Sequence, residues 1–419
     1  MALLSDRYKN DGIATVDLSD IQRKYIDIFR KKCESGEYKF RERECECGNG
    51  DLEIISQKDR YGLPVTTVIC RNCGLIMTSP CLDDASNNAF YDNEYHYIYR
   101  AEDKPSDKNF LNRKSDAARS IIPFIRKNSG LYEGTVLEIG CADGGNVAAF
   151  AEYGYTASGI DLSHTYTEFG KSKGLDLYCS DASSFAKKGL QYDLIVINHV
   201  LEHFTDLKKE LNTISRMLKP GAYLFVGVPG IKDLTFGAYR GDLLRMLQNA
   251  HIFNFTKDTL CRVMAKYGFS CVFCNELIQG VFKKETAPAS FQNVYADTIG
   301  YLQRVEQAAG NVQSLLIARA ADKLGSYNRG EVILYGSTME LDAFTRLVPD
   351  LSSIKGFFYS DKKSPEDVVT YINSLAPAQM PKCLMLIDRD NDAVLKQQFC
   401  LLPPGHDIEL FSIYSEISL

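Results

Sequence analysis

The chain has 419 residues, with 48 Lys+Arg against 54 Asp+Glu and a formal charge of -6. Hydrophobic residues at 45% and charged residues at 24% describe a chain that buries a core, and the length gives room for two or three domains. The acidic balance excludes a general binder of phosphate backbones, which collects a basic surplus, so no nucleic-acid partner is expected. No apolar run approaches the roughly 18 residues of a membrane-crossing helix, so no membrane partner is expected either. The start, Met1-Ala2-Leu3-Leu4-Ser5-Asp6-Arg7, turns polar before a signal-peptide core forms, and the expected location is the cytoplasm.

In chain order, residues 1–42 form a helical arm. Its helix is predicted over 19–33, with Ser19 as cap and Ile21, Tyr25, Ile28 and Phe29 on one stripe. Residues 43–82 pair cysteines around β-prone runs such as 65–69. Cys45-Glu46-Cys47-Gly48 and Cys70-Arg71-Asn72-Cys73-Gly74 present two thiol pairs on glycine turns, and four thiolates suit a tetrahedral zinc ion. Such a site is structural, because four protein ligands leave no open position. The first pair is one residue shorter than the usual knuckle, and Cys33 lies near enough in sequence to replace one of its members. The other reading is that these are ordinary reduced cysteines. With 13 cysteines in so long a chain, a disulfide scaffold is excluded.

Residues 83–130 hold a tyrosine-rich segment, 90–99, and then a helix around 117–125. The tyrosines at 91–99 serve either as an active-site lid or as the core joining the cysteine-bearing module to the main domain. From 131 to 285, β-type runs at 136–139, 157–160, 194–197 and 223–228 alternate with helical patterns, which predicts a mostly parallel sheet. Residues 286–328 are a helical connector with apolar residues at three-and-four spacing. It is one long helix or a hairpin broken at Gly310-Asn311, and its stripe packs on its own chain or forms a homodimer seam. Residues 329–419 restart the alternation with strands at 332–335, 356–359, 384–387 and 408–411, a second α/β domain.

The most informative stretch is Val136-Leu137-Glu138-Ile139-Gly140-Cys141-Ala142-Asp143-Gly144-Gly145. A strand enters a glycine turn and then a helix, so a ligand can approach the backbone at Gly140 and Gly144. The next strand ends in Asp161, where a carboxylate accepts two ribose hydroxyls; the third ends in Asp181-Ala182, an acidic tip for an adenine amino group. The fourth runs into Asn198-His199-Val200-Leu201-Glu202-His203, and Leu218-Lys219-Pro220-Gly221 precedes the fifth. A dinucleotide-binding domain is the competing reading, but its loop needs a glycine where Ala142 stands.

These elements resemble the class I methyltransferases that use S-adenosylmethionine (SAM). The resemblance implies a Rossmann-like core at 131–285, with cofactor contacts from Glu138, Gly140, Cys141, Gly144, Asp161, Leu162, Asp181, Ala182 and Asn198. Glu138 would orient the loop and the methionine end, and Asn198 would sit near the sulfonium. The zinc module at Cys45, Cys47, Cys70 and Cys73, the core and the C-terminal α/β domain together resemble bacterial sugar C-methyltransferases. That implies a small-molecule acceptor, a sugar or nucleotide-sugar, methylated on a hydroxyl or carbon. An acceptor of this kind needs a base, for which His251, Tyr95 and Tyr97 are the candidates. The family pairs this histidine with a preceding glutamate, and Ala250 stands there instead. Glu202 and His203 are expected to stabilise the turn after the fourth strand. The runner-up functions are a catalytically inactive SAM-binding scaffold and a methyltransferase acting on nucleic acid or protein.

Overall fold

The structure is a computed structural model, and it describes residues 3–99, 104–234, 239, 241–285, 291–348, 350–360, 362–376, 379–387 and 408–413. Met1, Ala2, the side chain of His96 and the first residue of the expected connector, Thr286, lie outside that description. The chain divides into two compact units, Met1–Ala14 with Leu18–Glu306, and Thr15–Asp17 with Gln307–Leu419.

The first unit is built on a seven-stranded sheet. Its strands are β1 (Gly134–Ile139), β2 (Tyr155–Asp161), β3 (Leu177–Cys179), β4 (Tyr192–Asn198), β5 (Leu218–Gly227), β6 (Phe269–Cys274) and β7 (Gln279–Lys284). Their order across the sheet is β3-β2-β1-β4-β5-β7-β6. The first five run parallel, and β7 runs antiparallel to both β5 and β6.

A strand whose side chains alternate can be apolar throughout only when both sheet faces are covered. In β4, Leu194, Ile195, Val196 and Ile197 are all fully buried. Ile195 and Ile197 join a core with Leu211 and Ile214 of the helix Leu207–Met217 and Leu260 and Val263 of the helix Lys257–Lys266. Leu194 and Val196 point the other way, to Ile122 and Ile125 of the helix Ile122–Ser129 and Phe150 of Gly145–Glu152. The helix expected around 117–125 is part of a longer run, with α-helical turns at Asp107–Asp116, a π-turn at Ala117–Ile121 and Ile122–Ser129.

The helix predicted over 19–33 runs Asp20–Glu34, with Ser19 accepting from the Gln22 N–H and Gln22 accepting from the Ser19 N–H. The cysteine-bearing segment makes antiparallel strands Leu52–Ser56, Thr67–Cys70 and Ile76–Thr78. The extended run starts at Thr67 rather than 65, and ahead of it the Asp59 carboxylate accepts the N–H groups of Tyr61 and Leu63 in a tight turn. A fourth strand, Phe253–Asn254, completes this sheet from far along the chain by pairing with Met77 and Ile76. Val68, Cys70, Leu75 and Met77 share one hydrophobic cluster with Ile195, Ile197 and Phe253, so this segment and the seven-stranded sheet bury a common core.

The connector is a single helix, Tyr295–Gly325, with no break at Gly310. One glycine costs about 1 kcal/mol in a helix interior, which so long a helix absorbs. Leu302 and Val305 at its start pack in the first unit, whereas Ala320 and Leu324 at its end pack in the second. The second unit carries a parallel four-stranded sheet in the order Ile354–Tyr359, Val332–Gly336, Cys383–Ile387, Glu409–Ser412. Among the described residues, no helix is long and apolar enough to cross a membrane.

Phe253 is 1% exposed and sits at the joint between the cysteine-bearing sheet and the common core. Replacing it, Phe253→Ala, should cost about 3–5 kcal/mol of unfolding free energy, measured as a lowered midpoint in urea denaturation followed by circular dichroism.

Candidate functional site

The sheet order reverses direction between β1 and β4, and in open α/β sheets a crevice opens at the carboxyl ends of strands at such a point. The loop that leaves β1 lies there. Gly140 has φ +75, and a Cβ on it would stand 2.5 Å from Val200 Cγ2, so the loop cannot take this path with a side chain at that position. Ala142 is also left-handed, with φ +48, despite its side chain. What holds it there is Asp161 at the end of β2: its Oδ2 accepts the Ala142 N–H at 2.9 Å, and its Oδ1 accepts the Ser163 N–H at 2.8 Å. Arg113 reaches in with two hydrogen bonds to the fully buried Asp143, 3.0 and 2.8 Å, and fixes the far side of the loop.

Glu138, at the end of β1, is 2% exposed. Asn146 donates to its Oε1 at 2.6 Å, while Oε2 has no hydrogen-bond partner among the described residues. Burial pushes its carboxyl up to about 8, against the opposing pull of the Asn146 bond. Cys141 turns inward and packs with Val147 and Leu177, so only its backbone lines the loop. The tip after β2 carries Leu162 with its side chain in the open, 75% exposed. After β3, Asp181 caps the short helix Ala182–Phe185 by accepting the Ser184 N–H at 2.8 Å, with Ala182 buried behind it. Asn198 ends β4, in register with Gly227 of β5. Glu138, Gly140, Asp161, Asp181 and Asn198 thus all come from carboxyl ends of adjacent parallel strands.

Beyond Asn198 the chain kinks, with His199 at φ +57 and its N–H bonded to the Gly227 carbonyl at 2.7 Å. The following turn, Leu201–His203, delivers Glu202, which is 2% exposed and whose two carboxylate oxygens have no hydrogen-bond partner among the described residues. Three imidazoles surround its Oε1: His199 Nδ1 at 3.6 Å, His203 Nε2 at 3.9 Å and His251 Nε2 at 3.9 Å. The rings of His203 and His251 meet edge to face at 4.9 Å between centroids. Burial, with His203, Arg60 and His199 adding, pushes His251 well below the usual imidazole range, so that ring is neutral.

The turn after β4 thus places a carboxylate near His251 where Ala250 offers none, although Glu202 Oε1 stays 3.9 Å from His251 Nε2 without a hydrogen bond. The sequence shows only the parts, a Glu-His doublet at the mouth of β4 and a scarcity of histidine, six in all, of which three gather here.

The tyrosine-rich segment folds as two helices, Asp84–Asn93 and Tyr95–Tyr99, around an aromatic cluster centred on Phe90. Tyr95 stacks on Tyr91 and turns edge-on to His203, and the Tyr91 hydroxyl lies 3.1 Å from His203 Nδ1. The structure therefore brings Tyr95 to the histidines. Tyr97 instead stacks flat on Tyr25 of the helical arm, 3.9 Å between centroids.

The four cysteines of the two turns converge. Cys45 and Cys73 sulfurs are 3.4 Å apart, Cys47 and Cys70 sulfurs 3.6 Å, and all four lie within 4.8 Å of one another. A tetrahedral ion with metal–sulfur bonds of about 2.3 Å spaces its sulfurs by about 3.8 Å, which these separations suit. Gly74 is obligatory in the second turn: at φ +81, a Cβ there would meet the backbone of Val294 and Tyr295 at 2.9 Å. Cys33 belongs to the helical arm, outside the cluster, and Cys81 accepts from Arg43 Nη2 at 3.6 Å.

Comparison with known proteins matches residues 111–272 to a family described as a methyltransferase domain. Curated relatives include the ubiquinone biosynthesis O-methyltransferase of Coxiella burnetii (strain RSA 493), 26% identical over 110 residues, or 25% of this chain and 47% of that protein. The same enzyme from Thiobacillus denitrificans is 34% identical over 99 residues, 22% of this chain and 42% of that one. The chain therefore spans less than half the length of these relatives. Similar solved structures include the 1,6-didemethyltoxoflavin-N1-methyltransferase of Burkholderia thailandensis, with 16% identity, TM-score 0.38, and 50% of this chain and 96% of that one covered. Another is the sugar N-methyltransferase KedS8 from a Streptoalloteichus species, with 12% identity, TM-score 0.35, and coverages of 45% and 96%.

The left-handed backbone at Ala142 costs about 1–2 kcal/mol for a residue with a side chain, and glycine gives back about 0.4–1 kcal/mol through the unfolded chain. Ala142→Gly should therefore stabilise the protein by about 0.5–1 kcal/mol, read as a raised melting temperature in calorimetry.

Proposed function

We infer, from a methyltransferase domain of the class I fold at residues 111–272, that this chain transfers the methyl group of SAM to a hydroxyl or carbon of a small, sugar-like acceptor, nucleotide-linked in the reading we favour. The observation that carries the cofactor reading is the convergence of Glu138, Asp161 and Asp181 on consecutive strand ends beside a left-handed glycine turn. When bound, SAM supplies an activated methyl group that a nucleophile displaces in line. What remains for the chain is to hold the two partners in alignment and to keep water out.

Each residue has a task consistent with its surroundings. The unpartnered Oε2 of Glu138 suits the ammonium group of the methionine end. Asp161 offers its remaining lone pairs to the ribose while its bonds to Ala142 and Ser163 keep it still. The exposed Leu162 offers an apolar face to adenine, and Asp181 with Ala182 meets its edge. Asn198 stands where β4 opens toward the sulfonium. The acceptor's reacting group faces Glu202 and His251, with Tyr95 beside them, whereas Tyr97, stacked on Tyr25, stands apart and has no part in this reading. The resemblance to the sugar C-methyltransferases supports the sugar-like class. Zinc at Cys45, Cys47, Cys70 and Cys73 is structural in this reading, since it fastens two turns and leaves no ligand position free.

The test is calorimetric titration with S-adenosylhomocysteine, followed by mass spectrometry of products after incubation with SAM and a panel of nucleotide-sugars. Asp161→Ala should weaken binding by about 10–100-fold, the worth of one to three kcal/mol of loop and ribose contacts. Absence of binding by the wild-type protein overturns the proposal. Glu138 adds a pH signature. Its carboxyl is pushed up to about 8 in the free protein, so it is protonated at neutral pH. An ammonium group favours the ionised form, so binding should release a proton and tighten as pH rises toward about 8, levelling off above it. Glu138→Gln should abolish both the proton release, seen by titration in buffers of different ionisation enthalpy, and the pH dependence.

A further inference from the structure

We propose that Glu202, His203 and His251 bind a divalent transition-metal ion, at a site separate from the four cysteines. The metal site stands on its own geometry; only the role assigned to the ion below rests on the methyl-transfer reading.

The argument begins with where the protons are. His203 Nδ1 lies 2.9 Å from the Ala250 carbonyl oxygen, which can only accept, so the ring's hydrogen is on Nδ1 and its Nε2 carries a lone pair. That nitrogen faces Glu202 Oε1. Gln248 has its side-chain oxygen held by Arg60 Nη2 at 2.9 Å, which turns its amide nitrogen toward His251 Nε2, so that nitrogen also presents a lone pair. The third group is a carboxylate, 2% exposed, with neither oxygen hydrogen-bonded among the described residues. Three electron-rich atoms thus converge within 4.8 Å of one another in a buried place.

His199 Nδ1, 3.6 Å from Glu202 Oε1, is the nearest positive partner this buried carboxylate has, and the lone pairs of His203 and His251 directed at it are unfavourable. A cation at their common focus reverses the sign of those lone-pair interactions. The dimensions suit it. A tetrahedral ion with bonds of about 2.1 Å spaces its donors by about 3.4 Å, so the 3.9 Å separations close by about half an ångström, with the Gln248 amide turning aside. The backbone carbonyl on His203 Nδ1 is the support that ligating histidines ordinarily have, fixing the tautomer and the ring. Two imidazoles and one carboxylate, without thiolate, favour Mn2+, Fe2+, Co2+ or Zn2+ over the all-oxygen preferences of Mg2+ and Ca2+. Three protein ligands leave positions open. On the methyl-transfer reading these take oxygen atoms of the acceptor and so dock it beside Asn198.

The experiment uses the full-length chain, stripped of metal and titrated with Co2+. The cysteine cluster announces itself by thiolate-to-cobalt charge-transfer absorption, and the proposed site by weaker visible bands without it. We expect the wild type to take up a second equivalent of Co2+ beyond the thiolate-bound one. Glu202→Gln should weaken that second equivalent by at least about 100-fold, the upper end of what outer ligands of a metal contribute, and leave the charge-transfer band unchanged. His203→Asn serves as the second variant should Glu202→Gln fail to fold. A wild type that binds only thiolate-held cobalt, or variants that keep the second equivalent, overturns the proposal. S-adenosylhomocysteine binding is measured on the same samples. Its absence with the second equivalent present counts against the methyl-transfer reading alone, and its presence without that equivalent counts against the metal site alone.

Discussion

The hydrogen bond between the Ala142 N–H and the Asp161 carboxylate governs the shape of the cleft. It ties the loop leaving β1 to the tip of β2, and it keeps a non-glycine residue in a left-handed conformation that its own side chain disfavours. Once the loop is held there, Gly140 faces Val200, Gly144 starts the next helix, and Glu138 is sealed beneath Asn146. The remaining binding groups follow from strand order alone, because parallel neighbours end on the same side. A single carboxylate is therefore both a piece of scaffold and the proposed grip on the ribose, and its two functions cannot be separated by substitution without attention to the loop.

How much of this could be read from the sequence depended on the range of the interaction. The apolar run 194–197 announced a strand covered on both faces, and every one of those residues is fully buried. Ser19 announced a helix start because capping is decided within one turn. The glycine turn and its acidic successors were legible for the same reason: each is a local backbone device at the end of a strand. The link between Glu202 and His251 was not legible. It joins a turn after β4 to a loop that precedes the strand Phe253–Asn254, and only the completed fold brings them to 3.9 Å. The tyrosines at 90–99 were ambiguous because an aromatic ring serves core and lid with the same chemistry, and in the structure the segment divides, Tyr95 toward His203 and Tyr97 onto Tyr25.

Buried polar groups separate what stabilises this protein from what it is built to do. Asp143 is fully buried yet doubly bonded to Arg113, and Glu94 is buried yet held by Lys32 at 2.9 Å; both are satisfied and need no ligand. Glu138 and Glu202 are equally buried and keep oxygens without partners among the described residues. A folded chain tolerates few such atoms, and here they stand at the carboxyl ends of two neighbouring strands, Glu138 in β1 and Glu202 in the turn after β4.

The strand Phe253–Asn254 has a consequence for how the two metal-suited clusters depend on each other. It pairs with Ile76 and Met77, a few residues past Cys73, while the Thr78 hydroxyl donates to the His251 carbonyl at 3.0 Å and the Thr78 N–H to that of Ile252. The sulfur knot and the imidazoles are thus moored to opposite ends of one short hairpin edge. Loosening the four-cysteine cluster would slacken that mooring and leave the imidazoles chemically intact but out of aim.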